Sequence, residues 1–135
     1  MTTDDIFVAR LMSTPVETIT ADTLVEDAAD VLLDNDIGSL VVVDDDQLQG
    51  ILTTTDFVDI VAKSQPKAQT TVERYMSTDV ITAEAGDSIS DVADTMLDRG
   101  FHHMPVVDED EGVIGMITTK DMAAYLSHVK TPPKA

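Results

Sequence analysis

The chain has 135 residues, of which 43% are hydrophobic, and these values predict a folded protein with a core of ordinary domain size. It contains 26 acidic and 8 basic residues, and the resulting formal net charge of −18 at pH 7 repels nucleic acid phosphates. No cysteine is present, which excludes disulfides, thiolate catalysis and cysteine-ligated metal sites.

The sequence also predicts a cytoplasmic protein without a membrane partner. No apolar run approaches the roughly 20 residues that span a bilayer, and the acidic start MTTDDIFVAR is unlike a secretion signal. Most acidic residues are aspartates on predicted helix faces and loops, where we expect a solvated surface and not a metal or catalytic site. Abundant aspartate with scarce lysine resembles the surface of proteins from salt-in halophiles, in which molar salt screens the self-repulsion.

Two long stretches of the chain repeat each other. Residues 12–44, MSTPVETITADTLVEDAADVLLDNDIGSLVVVD, align with residues 76–108, MSTDVITAEAGDSISDVADTMLDRGFHHMPVVD. After one extra residue in the acidic turn that follows, GILTTTD at residues 50–56 aligns with GMITTKD at residues 115–121. A repeat of this extent indicates two copies of one structural unit.

Each copy predicts the element order β-α-β-β-α. The apolar residues of the first helix recur at helical spacing, and the two central β-rich runs are joined by an acidic turn that predicts a hairpin. Asp22 or Thr23, and Asp87 or Ser88, are the predicted caps of the first helix in each copy. The predicted elements are residues 17–20, 24–35, 39–44, 48–53 and 54–63 in the first copy, and 81–83, 89–99, 103–108, 113–118 and 119–130 in the second.

The stretch KSQPKAQT at residues 63–70 is polar and without periodicity, as is typical of a linker. We therefore predict a first domain at residues 1–65, with an N-terminal lead-in helix, and a second at residues 66–135, which opens on a similar lead-in and ends in a short tail. Two modest helices cannot cover both faces of a three-stranded sheet. We therefore expect an α/β (more narrowly α+β) fold in which the two copies pack through their sheets with pseudo-twofold symmetry.

Three motifs, together with the order of elements given above, resemble those of a known family. They are the MST lead, the HHMPVVD strand and the closing Gly-apolar-apolar-Thr-x-x-Asp phrase. Over residues 8–129 the chain resembles a tandem pair of cystathionine-β-synthase (CBS) domains. The resemblance implies a regulatory module that binds adenosine-containing ligands, such as AMP, ADP, ATP or S-adenosylmethionine, in clefts between its two domains.

The repeated closing phrase marks the candidate sites. A helix start combines free N–H groups with the positive end of the helix dipole and therefore suits a phosphate. In the family, the aspartate at this position accepts hydrogen bonds from both ribose hydroxyls, which implies two nucleoside sites in this chain. The alternative is a pair of ordinary helix caps. The residues concerned are Thr53, Thr54 and Asp56 in the first copy, and Thr118, Thr119 and Asp121 in the second.

The two copies differ around these sites. In the family, basic residues at the positions of His102 and His103 often reach ligand phosphates, so the second copy is predicted to bind phosphate better. Adjacent strand residues point to opposite faces, so at most one of the two histidines faces a given cleft. A metal site at the histidines is disfavoured because no third ligand is positioned. The resemblance adds Val16 and Gly38 to the first site, and Val80, His102, His103, Pro105 and Lys120 to the second.

No phosphate-binding loop, dinucleotide-binding fingerprint or His-Glu-x-x-His motif is present, and the acidic turns lack the spacing of a calcium-binding loop. We therefore predict a regulatory module that is not an enzyme and requires no cofactor. The adenosine ligand would favour one packing of domains or chains, which an unidentified protein partner reads. The alternatives are a ligand-free structural or protein-interaction module, and an enzyme built on the acidic residues, for which no nucleophile, base and orienting group converge.

We also expect a homodimer, because modules of the family commonly pair through their helices. The closing helices at residues 54–63 and 119–130 carry more apolar residues than one core needs. The apolar residues predicted to be exposed there are Phe57, Ile60, Tyr125 and Leu126.

Overall fold

The computed structural model describes residues 6–63 and 70–129. The chain divides into two compact units, which we call the first unit (Val16–Val80) and the second unit (Met1–Pro15 with Ile81–Ala135). Each lead-in segment therefore belongs to the unit built from the other repeat, unlike in the predicted division at residue 65. Backbone hydrogen bonds explain this membership, because Ser13 pairs with Met116 and Ser77 pairs with Ile51.

The first unit contains a three-stranded sheet in the order β1-β2-β3. Strand β1 runs parallel to β2, and β2 forms the predicted antiparallel hairpin with β3, with Ser39 opposite Thr53 and a bulge between Val42 and Val43. The elements are β1 (Thr18–Ile19), α2 (Val25–Asn35), β2 (Ser39–Asp44), β3 (Gln47–Thr53), α3 (Thr54–Lys63) and a 3₁₀ helix (Val72–Arg74).

The second unit contains a two-stranded sheet, in which β4 and β5 form the second predicted hairpin. The strand predicted at residues 81–83 is wrong. Only Ala83 pairs there, in a single parallel bridge to Val106, and one residue is too short a ladder to count as a strand. The elements are α1 (Val8–Leu11), α4 (Ile89–Arg99), β4 (His103–Asp108), β5 (Gly112–Thr118) and α5 (Thr119–Val129).

Each unit has its own core, formed where one apolar face of each helix packs on the sheet. Ile60 on α3 is only 3% exposed, so the prediction that it lies on the surface is wrong: it falls on the sheet-facing side of the helix. The buried cores consist of Val25, Ala28, Leu32, Leu40, Val42, Leu52, Ile60 and Val72 in the first unit, and Val8, Ala83, Val92, Met96, Met104, Val106 and Ile117 in the second.

The two long helices α2 and α4 begin differently. Ser88 caps α4, and its hydroxyl accepts a hydrogen bond from the Ser90 amide at 3.2 Å, as predicted. The predicted cap at Asp22 or Thr23 is wrong, because Leu24 occupies the cap position of α2 and makes no side-chain bond. The Val25 amide donates instead to the Thr70 carbonyl at 3.0 Å, so the lead-in segment supplies the acceptor that a cap would provide.

The other expectations about segments and surface have simple outcomes. The predicted lead-in helices are short, namely α1 and the 3₁₀ helix. The linker and the C-terminal tail fall largely outside the described residues. Across residues 6–63 and 70–129, no helix is long and apolar enough to cross a membrane. The aspartates predicted on helix faces are exposed, namely Asp27, Asp30, Asp34, Asp91, Asp94 and Asp98.

Candidate functional site

The first candidate site lies where β3 passes into α3. The backbone amide of Thr53 donates to the Oδ2 atom of Asp56 at 2.8 Å, and the Thr53 hydroxyl donates to the same oxygen at 3.4 Å. The Thr54 amide donates to the Gly38 carbonyl at 3.1 Å. The structure therefore brings together Thr53, Thr54, Asp56 and Gly38, but the amides of Thr53 and Thr54 are already hydrogen-bonded and are not free for an anion.

The second candidate site is the corresponding junction of β5 and α5. The Thr118 amide donates to Asp121 Oδ2 at 3.0 Å, and the Asp121 amide donates to the Thr118 hydroxyl at 3.1 Å, which is a reciprocal capping box with aspartate in place of glutamate. The hydroxyl of Ser13 donates to the other carboxylate oxygen, Oδ1, at 3.0 Å. The Thr119 amide donates to the His102 carbonyl at 3.1 Å. The structure thus brings Thr118, Thr119, Asp121 and His102 together.

Ser13 was not among the residues predicted for this site. The signal that could have identified it is the MST phrase that opens both copies, because a repeated polar lead next to a repeated aspartate suggests a common environment. The contact itself joins residues 108 positions apart, so no local pattern could reveal it.

The two adjacent histidines differ in position and exposure, because His102 precedes β4 and His103 is its first residue. His102 is exposed and lines an apolar cavity of 300 Å³, whereas His103 is half-buried, pairs with Thr118 across the hairpin and feels the charge of Asp121. The cavity is lined by Ala93, Met96, Leu97, Gly100, Phe101, His102, Thr119 and Met122.

Burial perturbs two titratable groups at these junctions. Burial lowers the pKa of His103 below its ordinary value, with a smaller lowering from His102 and an opposing effect of Asp121. Burial raises the pKa of Asp56, against the lowering effect of its two hydrogen bonds from Thr53, and the charge of Asp59 adds to the increase. The ionised Asp56 therefore destabilises the fold, and a fall in pH relieves this cost.

The lowered pKa of His103 predicts how stability depends on pH. Between its folded pKa and the ordinary value of 6.5, the folded chain binds fewer protons at this group than the unfolded chain. Stability from neutral His103 is therefore complete above that ordinary value and is lost as the pH falls through the window. Urea unfolding at several pH values from about 5.5 to 7.5 measures the slope, which His103→Gln should make shallower. His102→Gln removes only the smaller of the two effects that lower the pKa of His103, so it should change the slope less than His103→Gln does. Equal slopes in wild type and His103→Gln would contradict the prediction.

The remaining predicted residues have varied positions. Pro105 is fully buried and its carbonyl accepts a hydrogen bond from the Ala83 amide, whereas Lys120 is exposed. Val16 is half-buried and precedes Glu17, whose backbone carbonyl accepts a hydrogen bond from the Val41 amide. Val80 is the last residue of the first unit, whereas Asp121 belongs to the second.

A metal centre has no support in the part of the chain that the structure describes. Within those residues, no group of three or more histidine, aspartate or glutamate side chains is arranged to hold a metal ion.

Two repeats of helix, hairpin and helix, each with a Thr–Asp pair at its last strand–helix junction, describe a tandem CBS domain pair. The CBS domain family matches residues 8–63 and 72–128, so the chain belongs to the CBS domain family. The same architecture occurs in the crystal structure of the CBS domain pair of protein MJ0100 in complex with 5′-methylthioadenosine and S-adenosyl-L-methionine. That structure is 28% identical, has a TM-score of 0.87 and covers 94% of this chain and 100% of its own.

Two relatives of known sequence differ in how much of their length this chain spans. An uncharacterised 17.7 kDa protein of Acidianus ambivalens is 30% identical over 125 residues, which are 92% of this chain and 75% of the relative. A homoserine O-acetyltransferase of Methanosalsum zhilinae is 34% identical over 120 residues, but this chain spans only 24% of its length. The likeness to the enzyme therefore concerns a small part of that protein.

Proposed function

We propose that this CBS domain pair is a regulatory module that binds an adenosine-containing ligand, either an adenine nucleotide (AMP, ADP or ATP) or an S-adenosylmethionine-type ligand, and that it performs no catalysis. The observation that carries the proposal is the pair of equivalent junctions, at which a carboxylate is held one turn into a helix by the preceding threonine. The MJ0100 domain pair, whose crystals contain two adenosine compounds, supports the ligand class.

The carboxylates have the chemistry that a ribose requires. An ionised carboxylate has about four lone-pair positions, whereas each of these aspartates accepts two hydrogen bonds from residues within 6–63 and 70–129. Capacity therefore remains for the two hydroxyls of a ribose. Both aspartates are half-buried, which strengthens a charge-assisted hydrogen bond relative to one in open water.

A second candidate function is a ligand-free interaction module. It is favoured by the reciprocal bonds of Thr118 and Asp121, which complete a helix cap without any ligand. The two functions differ in one measurable respect, because only a binding module is stabilised by adding an adenosine compound.

Ligand-induced stabilisation tests the proposed function. Unfolding of the wild-type chain in molar KCl is followed alone and with AMP, ADP, ATP, S-adenosylmethionine or 5′-methylthioadenosine. A compound at a hundred times its dissociation constant should raise the free energy of unfolding by about 2.7 kcal/mol if it binds only the folded state. Asp56→Asn and Asp121→Asn should each reduce the effect, because each removes one ribose acceptor.

Asp30→Asn is the matched control, since it removes one exposed negative charge from α2 and should leave the ligand effect unchanged. Molar salt suits the acidic surface, because screening reduces the repulsion among charges that sum to −18. If none of the five compounds stabilises the wild-type chain, the ligand-binding function is rejected and the interaction module becomes the better account.

We further propose that the chain forms a homodimer through apolar residues of its helices and signals to a separate protein partner. Val58 and Val61 on α3 are 68% and 69% exposed, and Leu126 on α5 is 59% exposed. Val58 and Val61 are three residues apart and therefore neighbours on one face of α3, and contiguous exposed apolar residues are typical of association surfaces. Of the residues originally predicted there, Phe57 and Tyr125 are half-buried and Leu126 is exposed.

A further inference from the structure

The two candidate carboxylates are held differently, although their junctions are equivalent. At Asp121, the two bonds fall on different oxygens: the Thr118 amide on Oδ2 and the Ser13 hydroxyl on Oδ1. At Asp56, both bonds fall on Oδ2, which accepts the amide and the hydroxyl of Thr53. The difference decides which lone pairs remain available.

A ribose presents two neighbouring hydroxyls, which a carboxylate binds best with one hydroxyl on each oxygen. Each carboxylate oxygen accepts about two hydrogen bonds. Counting the residues that the structure describes, Asp121 therefore retains one acceptor position on each oxygen and can take both hydroxyls as it stands. The Oδ2 atom of Asp56 already accepts two bonds, of which the bond from the Thr53 hydroxyl is long at 3.4 Å, so this carboxylate must rotate or release that hydroxyl before it can bind the two ribose hydroxyls in the same way.

The Ser13 hydroxyl is itself held in place. The Ser13 amide donates to the Met116 carbonyl at 2.8 Å, and the Met116 amide donates to the Ser13 carbonyl at 3.1 Å. Ser77 makes the same pair of backbone bonds with Ile51 in the first unit, at 2.9 and 3.0 Å. Among the described residues, however, the Ser77 side chain makes no bond to Asp56, so the units differ in the side-chain contact and not in the backbone.

We propose that Ser13 is a positioning residue, which orients the Asp121 carboxylate for a ribose and makes the Asp121 site the tighter and more ribose-selective of the two. This inference rests on the proposed function, since it specifies how one of the two sites recognises its ligand. Preorganisation is the physical reason, because a carboxylate that is already oriented loses less conformational freedom on binding. The remaining unpaired acceptor positions then match the ligand without rearrangement.

Titration calorimetry with AMP and 2′-deoxy-AMP tests the inference. We expect two binding steps for AMP in the wild-type chain, of which Asp121→Asn removes the tighter. Ser13→Ala should weaken the tighter step by about 5-fold, the order of effect expected when one more side chain has to be immobilised on binding. It should also reduce the preference for AMP over 2′-deoxy-AMP, because a misoriented Asp121 carboxylate no longer accepts good hydrogen bonds from both ribose hydroxyls.

Two further variants separate positioning from a general structural role. Ser13→Thr keeps a hydroxyl and should retain most of the preference for AMP, whereas Ser77→Ala should leave both steps unchanged. Three outcomes would overturn the inference while ligand binding stands. Ser13→Ala could weaken the binding of AMP and of 2′-deoxy-AMP equally, Ser77→Ala could have the same effect as Ser13→Ala, or Asp56→Asn could remove the tighter step. Absence of binding by AMP and by every compound of the unfolding experiment overturns the inference together with the proposed function.

Discussion

Replacing Gly50 with alanine is expected to lower the free energy of unfolding by about 1–3 kcal/mol, the usual cost of forcing extra atoms into a packed position. A Cβ atom at Gly50 would lie 2.7 Å from the carbonyl oxygen of Ser77 and 3.0 Å from the sulfur of Met76. The Ser77 carbonyl cannot move freely, because it accepts the Ile51 amide in the backbone pairing of the first unit. The added methyl group must therefore disturb that pairing.

The equivalent change at Gly115 provides the matched comparison. Its Cβ atom would lie 2.7 Å from the sulfur of Met12, near the end of a flexible side chain, and 3.2 Å from the Ser13 carbonyl. Because a methionine side chain can change rotamer, Gly115→Ala should cost clearly less than Gly50→Ala. Gly86→Ala is the control with no atom within 4 Å of the new methyl group, and it should not destabilise the chain. Urea denaturation of the three variants measures the order, and a cost at Gly115 equal to or above that at Gly50 would contradict the argument.

Placing a charge on the exposed apolar residues of α3 or α5 is expected to convert the proposed dimer into a monomer. Val61→Asp and Leu126→Asp each replace an exposed aliphatic side chain with a carboxylate. Burial of an unpaired charge in an interface is strongly unfavourable, and the chain already carries a large negative charge. Light scattering in molar KCl should therefore give twice the 14.6 kDa chain mass for the wild type and the single mass for the variants.

Phe7→Asp is the control for this experiment. Phe7 is 52% exposed but precedes α1 and lies outside the two closing helices, so its replacement should leave the mass unchanged. A wild-type chain that already has the mass of a monomer would reject the dimer. Dissociation by Phe7→Asp but not by the helix variants would place the interface elsewhere.

The elements of the fold were largely predictable because their signals are local. Helix α4 was predicted at residues 89–99 and occupies Ile89–Arg99, and both hairpins follow β-rich runs joined by acidic turns. The errors occur where a distant segment decides. Leu24 occupies the position of the predicted cap, and the Thr70 carbonyl accepts the hydrogen bond of the Val25 amide. Each lead-in segment belongs to the unit built from the other repeat, because Ser13 and Ser77 pair with strands far along the chain.

The candidate sites show the same division. The Thr53–Asp56 and Thr118–Asp121 pairs are three residues apart, at a spacing that brings an N-cap residue and its helix partner into contact, so sequence alone could identify them. The different use of the two carboxylates could not be predicted, because Ser13 lies 108 residues from Asp121. The different burial of His102 and His103 likewise required the hairpin to be in place.

By itself, the sequence determined the tandem repeat, the order of helices and strands, the family resemblance and the two Thr–Asp pairs, because all of these are expressed in short-range spacing. Only the tertiary structure decided which lead-in joins which unit, that Ile60 is buried while Val61 is exposed, and which oxygen of each aspartate accepts each of the described hydrogen bonds. The reason is physical. Hydrogen-bond partners and burial depend on distances between segments that are remote along the chain, and those distances exist only in the folded protein.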